Sequence, residues 1–211
     1  MCVVSATAGR VSATVPGDFL QNDTSFSRLV SLACHDVRTP LATVHGFVKT
    51  LSRTVELEAP ADRYVEMIAA ASAQIAELLD ELSLAARIEG ARYEPVLREA
   101  DTLALAHAAA ERLGDDRVHV SGEGVTIETD RAAVDRGVSA LVQAALRHGG
   151  LDEVNVAVAG RELRVTPITE SSARVVLGHE LRDLGAAVAV RLLESLGGEV
   201  AVVDGTLTIR L

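Results

Sequence analysis

The sequence predicts an α+β protein: a long antiparallel helical hairpin that pairs with a second copy into a four-helix bundle, followed by a small α/β-sandwich domain. Three observations carry this expectation. Apolar residues recur at steps of three and four through two long stretches before Gly90, and short helix-like and strand-like segments alternate after it. The chain has 211 residues, 48% of them hydrophobic, enough for a helical module and one small globular unit. The expected divisions are a flexible leader over 1–22, the hairpin over 23–91 and the sandwich domain over 92–211.

The leader mixes Ser, Thr, Gly, Val and Pro without a sustained period. Asp23 or Thr24 can cap the first helix, whose stripe runs Phe26, Val30, Ala33, Val37, Leu41, Val44, Val48 and Leu51. The pattern breaks at 52–59. Pro60 suits a first helical position, and Tyr64, Ile68, Ala71, Ile75, Leu78, Leu82 and Ala85 mark a second helix folding back on the first. A lone hairpin cannot cover both stripes, so a homodimer with knobs-into-holes packing is expected.

After Gly90 the pattern predicts helices at 102–113, 132–147 and 184–196. Strands are expected at 118–120, 125–128, 154–158, 162–165, 199–203 and 206–209, the last two joined by an Asp204-Gly205 turn. Helices should cover one face of a mixed sheet.

Composition narrows the function. The net charge of −10 with scattered basic residues, and an aromatic content of 2%, argue against nucleic-acid binding and a polybasic membrane anchor. Residues 1–8 have neither the basic start nor the apolar run of a signal peptide or membrane anchor. Two cysteines, Cys2 and Cys34, make a disulfide framework unexpected and suit a reducing cytoplasm. Cys34 reads as a small packing residue.

At about 100° per residue, His35 points roughly 160° from the centre of the first apolar stripe and must face solvent. Thr39 shares that face. Asp36 can orient one imidazole nitrogen and leave the other free to attack phosphorus. An imidazole in water titrates near about 6.5, so a neutral nucleophile is on hand at neutral pH. Pro40 removes the hydrogen bond to the Asp36 carbonyl and should bend the helix beside the histidine. Arg38 reads equally as a contact for phosphoryl oxygens or as a solvated helix charge.

His35-Asp36-Val37-Arg38-Thr39-Pro40-Leu41 closely resembles the H-box of bacterial sensor histidine kinases, and it falls in the first helix of the hairpin, where that family places it. The resemblance covers about 23–211. It implies a dimerisation and histidine phosphotransfer hairpin with His35 as phosphoacceptor, Asp36 assisting proton transfer and Thr39 positioning the water that dephosphorylates a response regulator.

The second domain resembles the ATP-binding domain of the same kinases, with its nucleotide motifs largely replaced. The stretch 134–150 resembles the N-box helix, but Ala144 stands where an asparagine would hold Mg²⁺, and a methyl cannot ligate a hard cation. Pro167, Thr169 and Ser171 stand where an Asp-x-Gly-x-Gly loop would read adenine. The segment 172–183 is short for a lid. Gly185 persists from the second glycine motif, while Asp183 would compete with phosphate at a helix N-terminus. Asp80-Glu81 and Asp115-Asp116 read as solvated faces and turns.

Together these readings lead to a cytoplasmic phosphorelay protein, similar to histidine phosphotransferases with a vestigial kinase domain. It would exchange a phosphoryl group between His35 and response-regulator receiver domains, or take it from a separate histidine kinase, with no cofactor or metal of its own. Two alternatives stand beside it: an autokinase with an unorthodox ATP site, and a non-catalytic scaffold that binds a kinase or a response regulator.

Overall fold

The structure, a computed structural model, describes residues 18–211. Most of the expected leader lies outside the described residues. The first helix, α1, spans Asp18–Thr54 and the second, α2, spans Ala61–Glu89. Residues 18–22, expected in the leader, are helical, and Asp23 and Thr24 lie inside α1 instead of capping it. No Pro or Gly interrupts 18–24, so nothing in the backbone stops the helix from starting earlier. Pro60 is the N-cap of α2, one position ahead of the expected one.

The two helices meet along a narrower seam than the stripe suggests. Ser27, Cys34 and Val48 are buried on α1, with Leu41 and His45 half-buried. On α2, Ser72 Oγ donates to the Ala69 carbonyl at 2.9 Å and meets His45 Nδ1 at 2.9 Å. Arg92 ties the open end of the hairpin to the Ser27 carbonyl at 3.2 Å and to Ser31 Oγ at 3.0 Å. Of the expected stripe, Phe26, Val37, Val44 and Leu51 stay exposed, and so do Tyr64, Ile68, Ile75, Leu78 and Leu82 on α2. Among the described residues, a second apolar face of the hairpin is therefore left without cover.

The C-terminal domain contains strands β1 (Arg98–Asp101), β2 (Val118–Gly124), β3 (Thr126–Thr129), β4 (Val154–Gly160), β5 (Glu162–Thr166), β6 (Glu199–Val203) and β7 (Thr206–Arg210). Its helices are α3 (Thr102–Leu113), α4 (Arg131–Gly149), α5 (Glu170–Val176) and α6 (Leu184–Ser195). Five strands form a mixed sheet in the order β2-β4-β5-β7-β6, with β2 and β4 parallel and every other pair antiparallel; β1 and β3 pair separately. Alternation is clean: Val154, Val156, Val158, Leu163, Val165, Leu207 and Ile209 point into the core, while Asn155, Ala157 and Arg164 face out. Val134, Val138, Leu141 and Val142 of α4 are fully enclosed against this face. A side chain at Gly137 would come within 2.9 Å of Leu193 Cγ, so α4 and α6 approach as closely as they do because that residue is glycine. Asp204 (φ 48°) and Gly205 (φ 72°) make the expected tight turn between β6 and β7.

The expected elements all occur, with ends that shift by a few residues. Two more, β1 and α5, were not expected. Arg-Glu-Ala-Asp is short and charged and pairs only with β3, while α5 takes in Ser171 and the first part of 172–183, the segment read as short for a lid.

The domain sits on the last turns of α2. Leu84 packs among Ala133, Val188 and Leu192, and the contact is flanked by Arg136–Glu81 at 2.7 Å and Arg191–Glu89 at 2.6 Å.

Candidate functional site

The H-box residues lie on α1 at the height where the domain packs against α2. The His35 side chain is 75% exposed, and its Nδ1 lies 3.3 Å from Asp36 Oδ1. In the tautomer whose Nδ1–H is directed at the carboxylate, Nε2 carries the lone pair. Thr39 and Pro40 are exposed as well, and α1 continues through Pro40 as helix. Cys34, next to His35, is 1% exposed and packs into the seam. One face of the helix thus carries the imidazole, its acidic neighbour and the threonine hydroxyl, while the adjacent residue anchors the hairpin.

Arg38 does not stand free. Its Nη2 donates to Asp80 Oδ1 of α2 at 2.6 Å. The reading of Asp80-Glu81 as a solvated acidic face is corrected here, because Asp80 binds the H-box arginine and Glu81 binds Arg136 of α4. Sequence spacing hides this contact, since 42 residues separate the partners. A usable signal was the antiparallel hairpin itself, which sets the middle of α1 against the latter half of α2. Asp80 and Glu81 also line a cleft of 420 Å³ between the hairpin and the domain, with Arg112, Arg136, Ser139 and Gln143 on its far wall.

In the domain, Ala144 is 1% exposed and belongs to the apolar core cluster that includes Ile168, Val176, Ala186 and Ala189. Pro167 follows β5, and Thr169 then caps α5, accepting from the Ser172 backbone N–H. Ser171 Oγ donates to the His148 carbonyl at 3.0 Å, which fastens the start of α5 to the end of α4. Asp183 caps α6 through the Ala186 N–H at 3.0 Å. Its other oxygen takes His148 Nε2 at 2.9 Å and Arg147 Nη1 at 3.3 Å. The N-terminus of α6 is therefore already occupied by a carboxylate that two basic side chains hold in place.

Residues 27–91 match the His Kinase A (phospho-acceptor) domain family. Among solved structures, full-length ShkA in complex with AMPPNP is similar over 86% of this chain, with a TM-score of 0.68 and 19% identity. This chain spans 44% of that protein's length. The Acinetobacter baumannii histidine kinase AdeS is similar over 84% of this chain and 96% of its own, with a TM-score of 0.57 and 16% identity. At these identities the likeness to the solved structures is one of fold. No curated protein matches in sequence. Residues 27–91 are thus a phospho-acceptor hairpin of the His Kinase A type, and together with the sheet domain that follows they share the fold of these two histidine kinases. Among the described residues no helix is long and apolar enough to cross a membrane.

Proposed function

We propose that this chain is a dimeric phosphorelay protein that accepts a phosphoryl group on His35 Nε2, passes it to and from response-regulator aspartates, and does not draw it from ATP. The observation that carries the reading is the open imidazole oriented by Asp36, in a chain whose second domain has an apolar core residue, Ala144, at the magnesium-ligand position.

In the proposed step, Nε2 attacks the phosphorus of an aspartyl phosphate in line. The P–N bond forms as the P–O bond breaks, and the aspartate leaves as carboxylate. The imidazole keeps its Nδ1 proton and becomes cationic, and Asp36 stabilises that charge. The receiver supplies its own Mg²⁺ and acidic pocket, so the chemistry asks this chain for positioning. Thr39, exposed on the same face, is suited to orient water for dephosphorylation. The uncovered apolar face built from Phe26, Val37, Val44 and Leu51 with Ile68, Ile75 and Leu82 supports pairing of two hairpins.

Three features support independence from ATP. α5 replaces a glycine-rich loop, the Asp183–His148–Arg147 cluster fills the α6 N-terminus, and Ala144 offers no oxygen to a cation. Incubation with phosphorylated receiver domains tests the whole reading: wild-type protein should take label and His35→Ala should not. Equal labelling of both would refute it. Label acquired from ATP alone would establish the autokinase alternative.

A further inference from the structure

Asp80 and Glu81 are neighbours on α2 but serve opposite partners. Asp80 Oδ1 holds Arg38 Nη2 of α1 at 2.6 Å, and Glu81 Oε1 holds Arg136 Nη2 of α4 at 2.7 Å. The first contact reaches into the H-box itself. Residues three apart on a helix are surface neighbours, so the Arg38 and His35 side chains leave the helix on the same stretch of its surface. Arginine presents five N–H donors in a rigid plane that matches phosphoryl oxygens, and the Asp80 contact engages it through Nη2.

Stability does not explain the pair. Its side chains are 42% and 59% exposed, and ion pairs so open to water contribute little. Ordering is a different matter. A free arginine must give up much rotamer freedom to meet a phosphoryl group, whereas one already tethered from behind has lost that freedom beforehand. The tether also comes from a helix that the domain grips one and four residues further on, through Glu81–Arg136 and Leu84.

We infer that Asp80 is a positioning residue for phosphotransfer: it holds Arg38 on the H-box face, where the remaining N–H donors meet the phosphoryl oxygens carried by His35. This rests on the reading of His35 as phosphoacceptor.

The test loads His35 with phosphoramidate, which needs no protein partner, and then follows single-turnover transfer to a receiver domain across receiver concentrations. Asp80→Ala should lower the maximal transfer rate about tenfold, with the half-saturating receiver concentration unchanged. Asp80→Glu should restore most of the rate. Arg38→Ala should show a similar loss, and the Arg38→Ala/Asp80→Ala double variant should be no slower than Arg38→Ala alone. Melting temperature and particle mass, measured on each variant, separate misfolding from misplacement, with Asp80→Asn as a milder substitute. An unchanged or faster maximal rate in folded Asp80→Ala, or losses that multiply in the double variant, overturns the inference. Absence of label on wild-type His35 from both phosphoramidate and phosphorylated receivers overturns the reading of His35 and this inference with it. Normal wild-type transfer with an unaffected Asp80→Ala overturns this inference alone.

Discussion

The phenol of Tyr93, just past the end of the hairpin, donates to Asp130 Oδ2 at 3.1 Å, and Asp130 is also the N-cap of α4. The same carboxylate takes the Val96 N–H at 3.0 Å and the Ala133 N–H at 3.1 Å. One side chain thus starts the central helix of the domain and fastens the linker that leads into it.

Asp130→Ala should lower the free energy of unfolding by about 2–3 kcal/mol, the loss of an N-cap and of buried partners left unmatched. Urea unfolding followed by circular dichroism checks this. A change below about 0.5 kcal/mol would show that the linker does not depend on it.

The joint should respond to pH at both extremes. Burial alone would raise the Asp130 pKa, but the Val96 and Ala133 N–H groups and the Tyr93 hydroxyl outweigh it and hold the carboxyl below the ordinary value of 3.8. Its contribution is therefore complete above the unfolded value and lost as pH falls through the lower folded one. Burial and the bond to Asp130 push Tyr93 up to about 12 from 10.0, so its contribution is complete below 10 and lost as pH rises towards 12. Tyr93→Phe should flatten the alkaline limb of a stability–pH curve, and Asp130→Asn the acid limb.

Pairing of hairpins should fail when charge is placed on the uncovered face. Val44→Asp with Ile75→Asp is expected to convert dimer to monomer, each change forfeiting about 1.5–3 kcal/mol of apolar burial per side chain. Light scattering coupled to size exclusion reads the mass directly. A dimer that survives both changes would move the interface elsewhere.

Restoring a single metal ligand should not restore nucleotide binding. Ala144→Asn puts an amide into an apolar cluster, which should cost about 1–3 kcal/mol, and α5 and the Asp183 cluster remain in place. Melting curves with and without Mg-ATP are expected to superimpose; an upward shift with nucleotide would contradict this view of the domain.

Within the H-box the roles should separate. Asp36→Asn is expected to slow phosphoryl transfer by about tenfold or more by losing the charge that orients and stabilises the imidazole. Thr39→Ala should slow dephosphorylation of a receiver while leaving transfer intact. Timed gels of labelled protein distinguish the two, and equal effects on both reactions would merge the roles.

Much was legible in the residues. The angular offset of His35 from the apolar stripe set it outward, and its side chain is 75% exposed in the structure. Alternation in Val-x-Val-x-Val and Leu-x-Val placed the buried sheet face, because a period of two admits only one inward set. The helix α5 was not legible. Glu-Ser-Ser-Ala-Arg-Val-Val has seven residues and little intrinsic preference, and it is held by packing of Val175 and Val176 and by the Ser171 contact to His148.

By itself, then, the sequence determined the hairpin, the sandwich and the outward histidine, since periodicity and caps act between near neighbours and need no knowledge of the rest of the chain. Only the tertiary structure decided that Asp80 would hold Arg38, that Glu81 would hold Arg136, and that His148 would hold Asp183. Those partners lie 42, 55 and about 35 residues apart, and their meeting depends on how whole elements pack, which no local pattern encodes.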